Sequence, residues 1–176
     1  NLSEVCDAIA YLIDNPEANV DELMQFVIGP DFPTRGIILG REGIKMAYAT
    51  GQGKVVIRAK IEEAALKSGR RHLVITELPY QVNKAGLVAR IAQLAKERRI
   101  EGVSEVRDES DRQGIRIVIE LRKEAQSTKL LNNLYKYTPM QSAFFINMVA
   151  LVDGQPKTIN LKEALSAYID FRRQVI

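Results

Sequence analysis

Tryptophan is absent, and cysteine and histidine occur once each, as Cys6 and His72. A lone cysteine cannot form an internal disulfide and suits a reducing compartment, so a cytoplasmic setting is expected. One cysteine and one histidine also exclude a Cys/His metal site and leave only carboxylate ligands. No run of eighteen apolar residues occurs, so no membrane contact through a spanning helix is expected. Internal repeats and low-complexity tracts are missing as well. Charge of one sign is scarce: 25 basic residues against 22 acidic ones leave a net +3, a weak attraction for a polyanion. The opening NLSEV has neither an initiator Met nor a signal-peptide pattern, and the closing DFRRQVI stops inside a helical pattern. Both ends are expected to be cuts in a longer polypeptide.

What is present suits one domain with appendages. The chain has 176 residues, 46% of them hydrophobic, enough for a real core. The 27% charged residues are mixed in sign, which argues against global disorder.

Residues 3 to 15 carry Val5, Ile9, Leu12 and Ile13 at helical spacing, and Pro16 ends the run. Asn19 with Glu22 forms a capping box for a short helix burying Leu23, Met24 and Phe26. Gly29-Pro30 and Phe32-Pro33 make a stiff boundary. A short strand is expected over 36–39 and a helix over 41–48, closed by Gly51 and Gly53. From Lys54 the period becomes two, with Val55, Ile57, Ala59 and Ile61 alternating against Val56, Arg58, Lys60 and Glu62. The turn Lys67-Ser68-Gly69 makes this a hairpin with the strand through Leu73 and Ile75.

Asn83 caps a helix to about Arg98, with Leu87, Val88, Ile91, Leu94 and Ala95 inward. Strands over 103–107 and 115–121 flank a loop of turn residues. A helix is expected over 124–135 and a strand over 144–151. Asp153-Gly154 then turns a hairpin, and Asn160 with Glu163 caps a final helix. Hairpin-linked strands and interspersed helices predict an α+β fold with a mixed, largely antiparallel sheet and packed helices.

The chemistry-bearing groups are few. Gly36, Gly40 and Gly43 beside Arg35 and Arg41 form neither a P-loop nor a dinucleotide fingerprint; they are either phosphate-approaching or turn glycines beside solvated arginines. Asp108, Glu109 and Asp111 read as a solvated turn flanked by arginines, with a carboxylate Mg²⁺ site as the alternative. Lys54, Arg58 and Lys60 share parity, so a regular strand would present them as a basic stripe; an ordinary polar face is the other reading. Cys6 reads as a packing residue. None of the six tyrosines has the arginine and metal-binding carboxylates a DNA-attacking tyrosine needs, and no Ser/His/Asp triad is visible.

Several long segments, in order, carry a specific resemblance: GPDFPT continuing to GREGI, TGQGKVVIRAK, ITELPYQVNK, RDESDRQGIRIVIEL, LLNNLY, and FFINMVAL followed by DGQPKTINLKEAL. Together they cover essentially the whole chain, which resembles the A subunits of bacterial type IIA DNA topoisomerases. The wording sits closer to gyrase than to topoisomerase IV. The resemblance implies a parent enzyme that passes one duplex through another, using ATP and Mg²⁺ through a gyrase B subunit. It also implies an assembly of two A and two B subunits. Residues 1–28 would be the tail of a winged-helix region, 29–158 a tower domain, and 159–176 the start of a long helix toward a coiled-coil arm. The catalytic tyrosine and the wedging isoleucine of the family have no counterpart here. The expectation is therefore a piece with no catalytic residue, no metal and no cofactor of its own. It would support double-stranded DNA through Arg35, Arg41, Lys54, Arg58, Lys60 and Lys84. A purely architectural module is the alternative, and a self-contained enzyme lacks a nucleophile to work with.

Overall fold

The computed structural model describes residues 1–176. The chain divides into two compact units: 1–31, 40–56 and 143–176 form the first, and 32–39 with 57–142 form the second.

The first unit is mainly helical. α1 (Leu2–Asp14) and α2 (Val20–Leu23) both begin with asparagine capping boxes, Asn1 with Glu4 and Asn19 with Glu22. In each, the Asn side chain accepts an N–H of the first turn while the Glu reaches back to the cap, so two orphan donors are satisfied at once. α3 (Glu42–Thr50) ends at Gly51, whose φ of 85° is the left-handed conformation that closes a helix without a Cβ clash. Near the chain end, Asp153 (φ 51°) and Gly154 (φ 77°) turn a hairpin between β8 (Val149–Val152) and β9 (Gln155–Thr158). Asn160 with Glu163 then caps α6 (Leu161–Val175). α6 packs against α1, α2 and α3. Ala8, Leu12, Leu23, Ile44, Ala47 and Leu165 are buried there.

The second unit is a four-stranded antiparallel sheet with two helices. Its order is β3 (Lys60–Ala65), β4 (Arg71–Glu77), β6 (Ile117–Leu121) and β5 (Val103–Asp108). Leu73 pairs with Ile119, and Ile75 with Ile117, so four large apolar side chains share one face. They belong to one core with Leu87, Ile91 and Leu94 of α4 (Lys84–Lys96) and with Leu130 and Leu134 of α5 (Ser127–Tyr137). Asn83 caps α4 by accepting the Gly86 N–H at 2.8 Å. Three further strands are β1 (Ile37–Leu39), β2 (Gln52–Arg58) and β7 (Gln141–Asn147).

Three expectations are corrected. The strand expected to run unbroken from Lys54 past Ile61 is two strands in two sheets, β2 and β3. Ala59, at the break, is 1% exposed and donates its N–H to Met140 O at 2.8 Å, and the β3–β4 register slips just after it, between Lys60 and Ile61. Burial still alternates across the break, so the period of two was right and the continuity was not. The strand expected over 144–151 is likewise divided at Met148, whose N–H goes to Gly51 O and whose carbonyl accepts from Ile159 N. The helix expected from residue 124 begins at Ser127. The Arg71 guanidinium takes up the carbonyls of Lys123 and Ala125, and Ala125 N bonds Arg122 O in a turn, so this segment is held outside the helix. Of the side chains expected to pack, Cys6 is exposed, Ile13 is 49% exposed, and Phe26 is half-buried against Tyr11 with ring centroids 5.0 Å apart.

Candidate nucleic-acid interface

The six basic residues singled out in the sequence fall into three kinds. Arg35 and Lys60 come together in the second unit. They line one groove with Arg116, a residue sequence reasoning passed over because it lies 56 positions beyond Lys60. The groove is walled by the Pro33–Gly36 loop, the ends of β3 and β4, and the tip of the β5–β6 loop. Arg35 has φ 61° and Gly36 φ 91°, two successive left-handed residues, of which the arginine is the strained one. Gly36 tolerates no side chain: a Cβ would lie 2.9 Å from Ile57 Cγ2. Its N–H donates to the Glu77 carboxylate at 3.0 Å, which fixes the loop to the end of β4. The groove also holds Glu62, Glu77 and Asp111, so its three cations are balanced by three carboxylates. Lys60 Nζ stands 3.7 Å from Glu62 Oε1, and Arg116 Nε 3.2 Å from Glu109 Oε2.

Arg41 and Lys54 are the second kind, both exposed and both in the first unit. Their elements touch backbone to backbone. A Cβ on Gly43 would fall 1.9 Å from the Lys54 carbonyl oxygen, and one on Gly53 would fall 2.6 Å from the Gly43 carbonyl oxygen. The glycines at 43 and 53 therefore serve close approach of α3 and β2. Neither reading left open for the glycine-rich segment included this steric use, which the structure shows at Gly43 and Gly36, while a Cβ at Gly40 would meet nothing within 4 Å.

Arg58 and Lys84 are the third kind, each already occupied. Arg58 donates two hydrogen bonds to Gln141 Oε1, at 3.1 and 2.7 Å, and its guanidinium lies 4.1 Å from the Tyr135 ring centroid. It is half-buried, which suits a guanidinium stacked on an aromatic face. Lys84 pairs with Asp108 at 2.9 Å. The basic stripe expected from parity is not continuous, because β2 and β3 part at Ala59.

The acidic loop is internally satisfied. Asp108 accepts Ser110 N at 3.0 Å, and Asp111 accepts Gln113 N at 2.8 Å. Arg107 reaches Glu105 and Glu120 at 2.9 Å and Glu109 at 3.3 Å. These bonds hold the Glu109 and Glu120 carboxyls below their usual range and raise the Arg107 guanidinium. Each carboxylate thus has cation or N–H partners inside the turn, the geometry of a solvated loop.

Among the tyrosines, Tyr48 is buried, and burial pushes its hydroxyl up to about 12. Tyr137 carries Arg99 and Lys136 over its ring at 5.4 and 5.2 Å. Those charges meet the ring face and sit where no sequence spacing would have placed Arg99.

Residues 1–176 match, end to end, the family described as the A subunit of DNA gyrase/topoisomerase IV. The chain belongs to this family. It is 61% identical over 178 residues to the DNA gyrase A subunit of Dehalogenimonas lykanthroporepellens. It is 57% identical to that of Clostridium acetobutylicum and 56% identical to that of Pseudomonas aeruginosa. All of the chain is covered in each comparison, against 22%, 21% and 19% of those relatives. The chain thus spans about a fifth of the length of the curated relatives it matches.

Proposed function

We propose that this chain is a DNA-supporting part of the breakage–reunion subunit of DNA gyrase, an ATP-dependent topoisomerase that introduces negative supercoils. In this reading the parent works with Mg²⁺ and ATP through the gyrase B subunit, in a cytoplasmic assembly of two A and two B subunits. Residues 29–158 serve as the tower domain, with the winged-helix tail over 1–28 and the start of the arm helix over 159–176. These residues do no bond chemistry; they hold the duplex while the parent cuts and reseals it.

One observation carries the reading: four of the six cations, Arg35, Arg41, Lys54 and Lys60, are exposed, Arg35 at a strained φ and Arg41 and Lys54 beside the glycine-built contact of α3 with β2. A cation held for structure is buried or bidentate, as Arg58 is. Exposed cations on strained or glycine-built backbone suit a partner with regularly spaced negative charge.

The test is the salt dependence of duplex binding by the longer subunit containing these residues. Arg35→Ala with Lys60→Ala, and separately Arg41→Ala with Lys54→Ala, should each lower the log–log salt slope by roughly two units. The loss should be equal across DNA sequences, because phosphates carry no sequence information. Slopes unchanged in both pairs, with folding intact, would leave the architectural reading in possession.

A further inference from the structure

A cavity of about 710 Å³ opens in the second unit, where the end of α4, the start of β5, the end of β6 and the first turns of α5 meet. None of the six candidate duplex cations lines it. Its floor is apolar and buried: Ile100, Val103, Ala125 and Leu130 are each between 1% and 9% exposed. Its rim is charged. Lys96, Arg98, Arg122 and Lys129 face Glu101 and Glu124, four cations against two carboxylates, a surplus of two positive charges. The only ion pair among these six is Lys129 with Glu101, at a long 3.9 Å. Lys96, Arg98 and Arg122 make no ion pair at all, unlike Arg107 and Arg116 across the same unit.

The cations stand on fixed backbone. Arg98 has φ 57° and bonds Ala95 O through its N–H at 3.2 Å, and Arg122 N donates to Gly102 O at 2.8 Å. Gly102 is itself irreplaceable, since a Cβ there would lie 2.7 Å from Ala125 Cβ and its φ is 93°. Gln126 gives α5 no side-chain cap, so the N–H groups of its first turn add a smaller attraction beside the same wall.

We propose that this cavity binds a small phosphate monoester with a compact apolar body. A volume of this size fits a single small ligand. A monoester carries close to two negative charges at neutral pH, which matches the rim surplus, and guanidinium forks recognise phosphate oxygens in pairs. The buried apolar residues beneath the rim offer a small contact that an apolar body would cover and a bare ion would not. The site is separate from the duplex surface: a phosphodiester has one charge, and none of the six candidate duplex cations lines the cavity.

Phenyl phosphate titrated into the ¹⁵N-labelled 176-residue chain tests this by NMR. Saturable shifts are expected at the amides of Gly102, Ala125 and Lys129. Inorganic phosphate should bind several-fold more weakly, because it leaves the floor uncovered. Arg122→Gln combined with Lys129→Gln, with spectral dispersion retained, should weaken phenyl phosphate by about tenfold or more. Lys54→Gln should bind it as the parent does. The proposal is overturned if shifts fail to saturate, if they centre elsewhere, or if the double variant titrates unchanged. Displacement of the probe by a short DNA duplex at equal phosphate concentration would also overturn it, by making the cavity part of the duplex surface.

Discussion

Asp108 shows how a side chain that reads as ordinary turn chemistry acquires a defined role. Its carboxyl is held down at about 2, first by the Ser110 hydroxyl, then by the Lys84 ammonium and the Ser110 N–H. A folded-state value below the usual 3.8 means that this contribution to stability is complete above the unfolded value. It is lost as pH falls from about 4 toward 2. The side chain is 34% exposed, so solvent screening keeps the effect small, under about 1 kcal/mol. Lys84→Met should therefore raise the Asp108 carboxyl toward its ordinary value, followed by NMR titration of the side-chain carbon, and should shift acid unfolding slightly upward in pH. An unmoved Asp108 value would show that Lys84 does not hold it. The same pair bears on function: a Lys84 engaged at 2.9 Å must break that bond before it can meet a phosphate. This ranks it behind Arg35 and Lys60 as a duplex contact.

At the scale of elements, the contact between α3 and β2 is the most sharply built. Gly43→Ala places a methyl group 1.9 Å from the Lys54 carbonyl oxygen, so helix and strand must part. Gly40→Ala meets open space and pays only for its φ of 76°. The first should cost roughly 2 kcal/mol or more and the second about 1 kcal/mol, compared by urea unfolding midpoints. Equal costs would mean that the contact yields easily. This contact was not legible in the sequence, where Gly36, Gly40 and Gly43 look alike; which carbonyl lies opposite a glycine is decided by tertiary packing. The caps at Asn19, Asn83 and Asn160 were legible, because each bonds an N–H group only three residues away. The breaks at Ala59 and Met148 were not. Each arises from a hydrogen bond to a distant residue, Met140 for Ala59, and Gly51 and Ile159 for Met148. Local alternation carries no trace of such a partner. Of the candidate site, the side-chain types could be read, whereas the Arg58–Gln141 pairing and the presence of Arg116 beside Lys60 needed the sheet.

For the whole molecule, a net charge of +3 sets how strongly a duplex can be held. With 25 cations and 22 carboxylates, long-range attraction is weak, so affinity must come from a few well-placed contacts. Counting them separates the readings. Arg58 and Lys84 already have close partners, at 2.7 and 2.9 Å, while the four exposed cations of the set carry at most the longer 3.7 Å pair of Lys60 with Glu62. Each phosphate neutralised contributes close to one unit of slope in log affinity against log salt, so these four give a magnitude of about 3 to 4. If Arg58 and Lys84 also released their partners to bind phosphate, the magnitude would exceed about 5. The measurement is fluorescence anisotropy of a labelled duplex with the 176-residue chain over a range of salt. A slope near about 3 to 4, unchanged in Arg58→Gln, supports binding through the exposed set. A slope above about 5 that falls in Arg58→Gln would return Arg58 to the interface, and a flat isotherm would remove this chain from the duplex altogether.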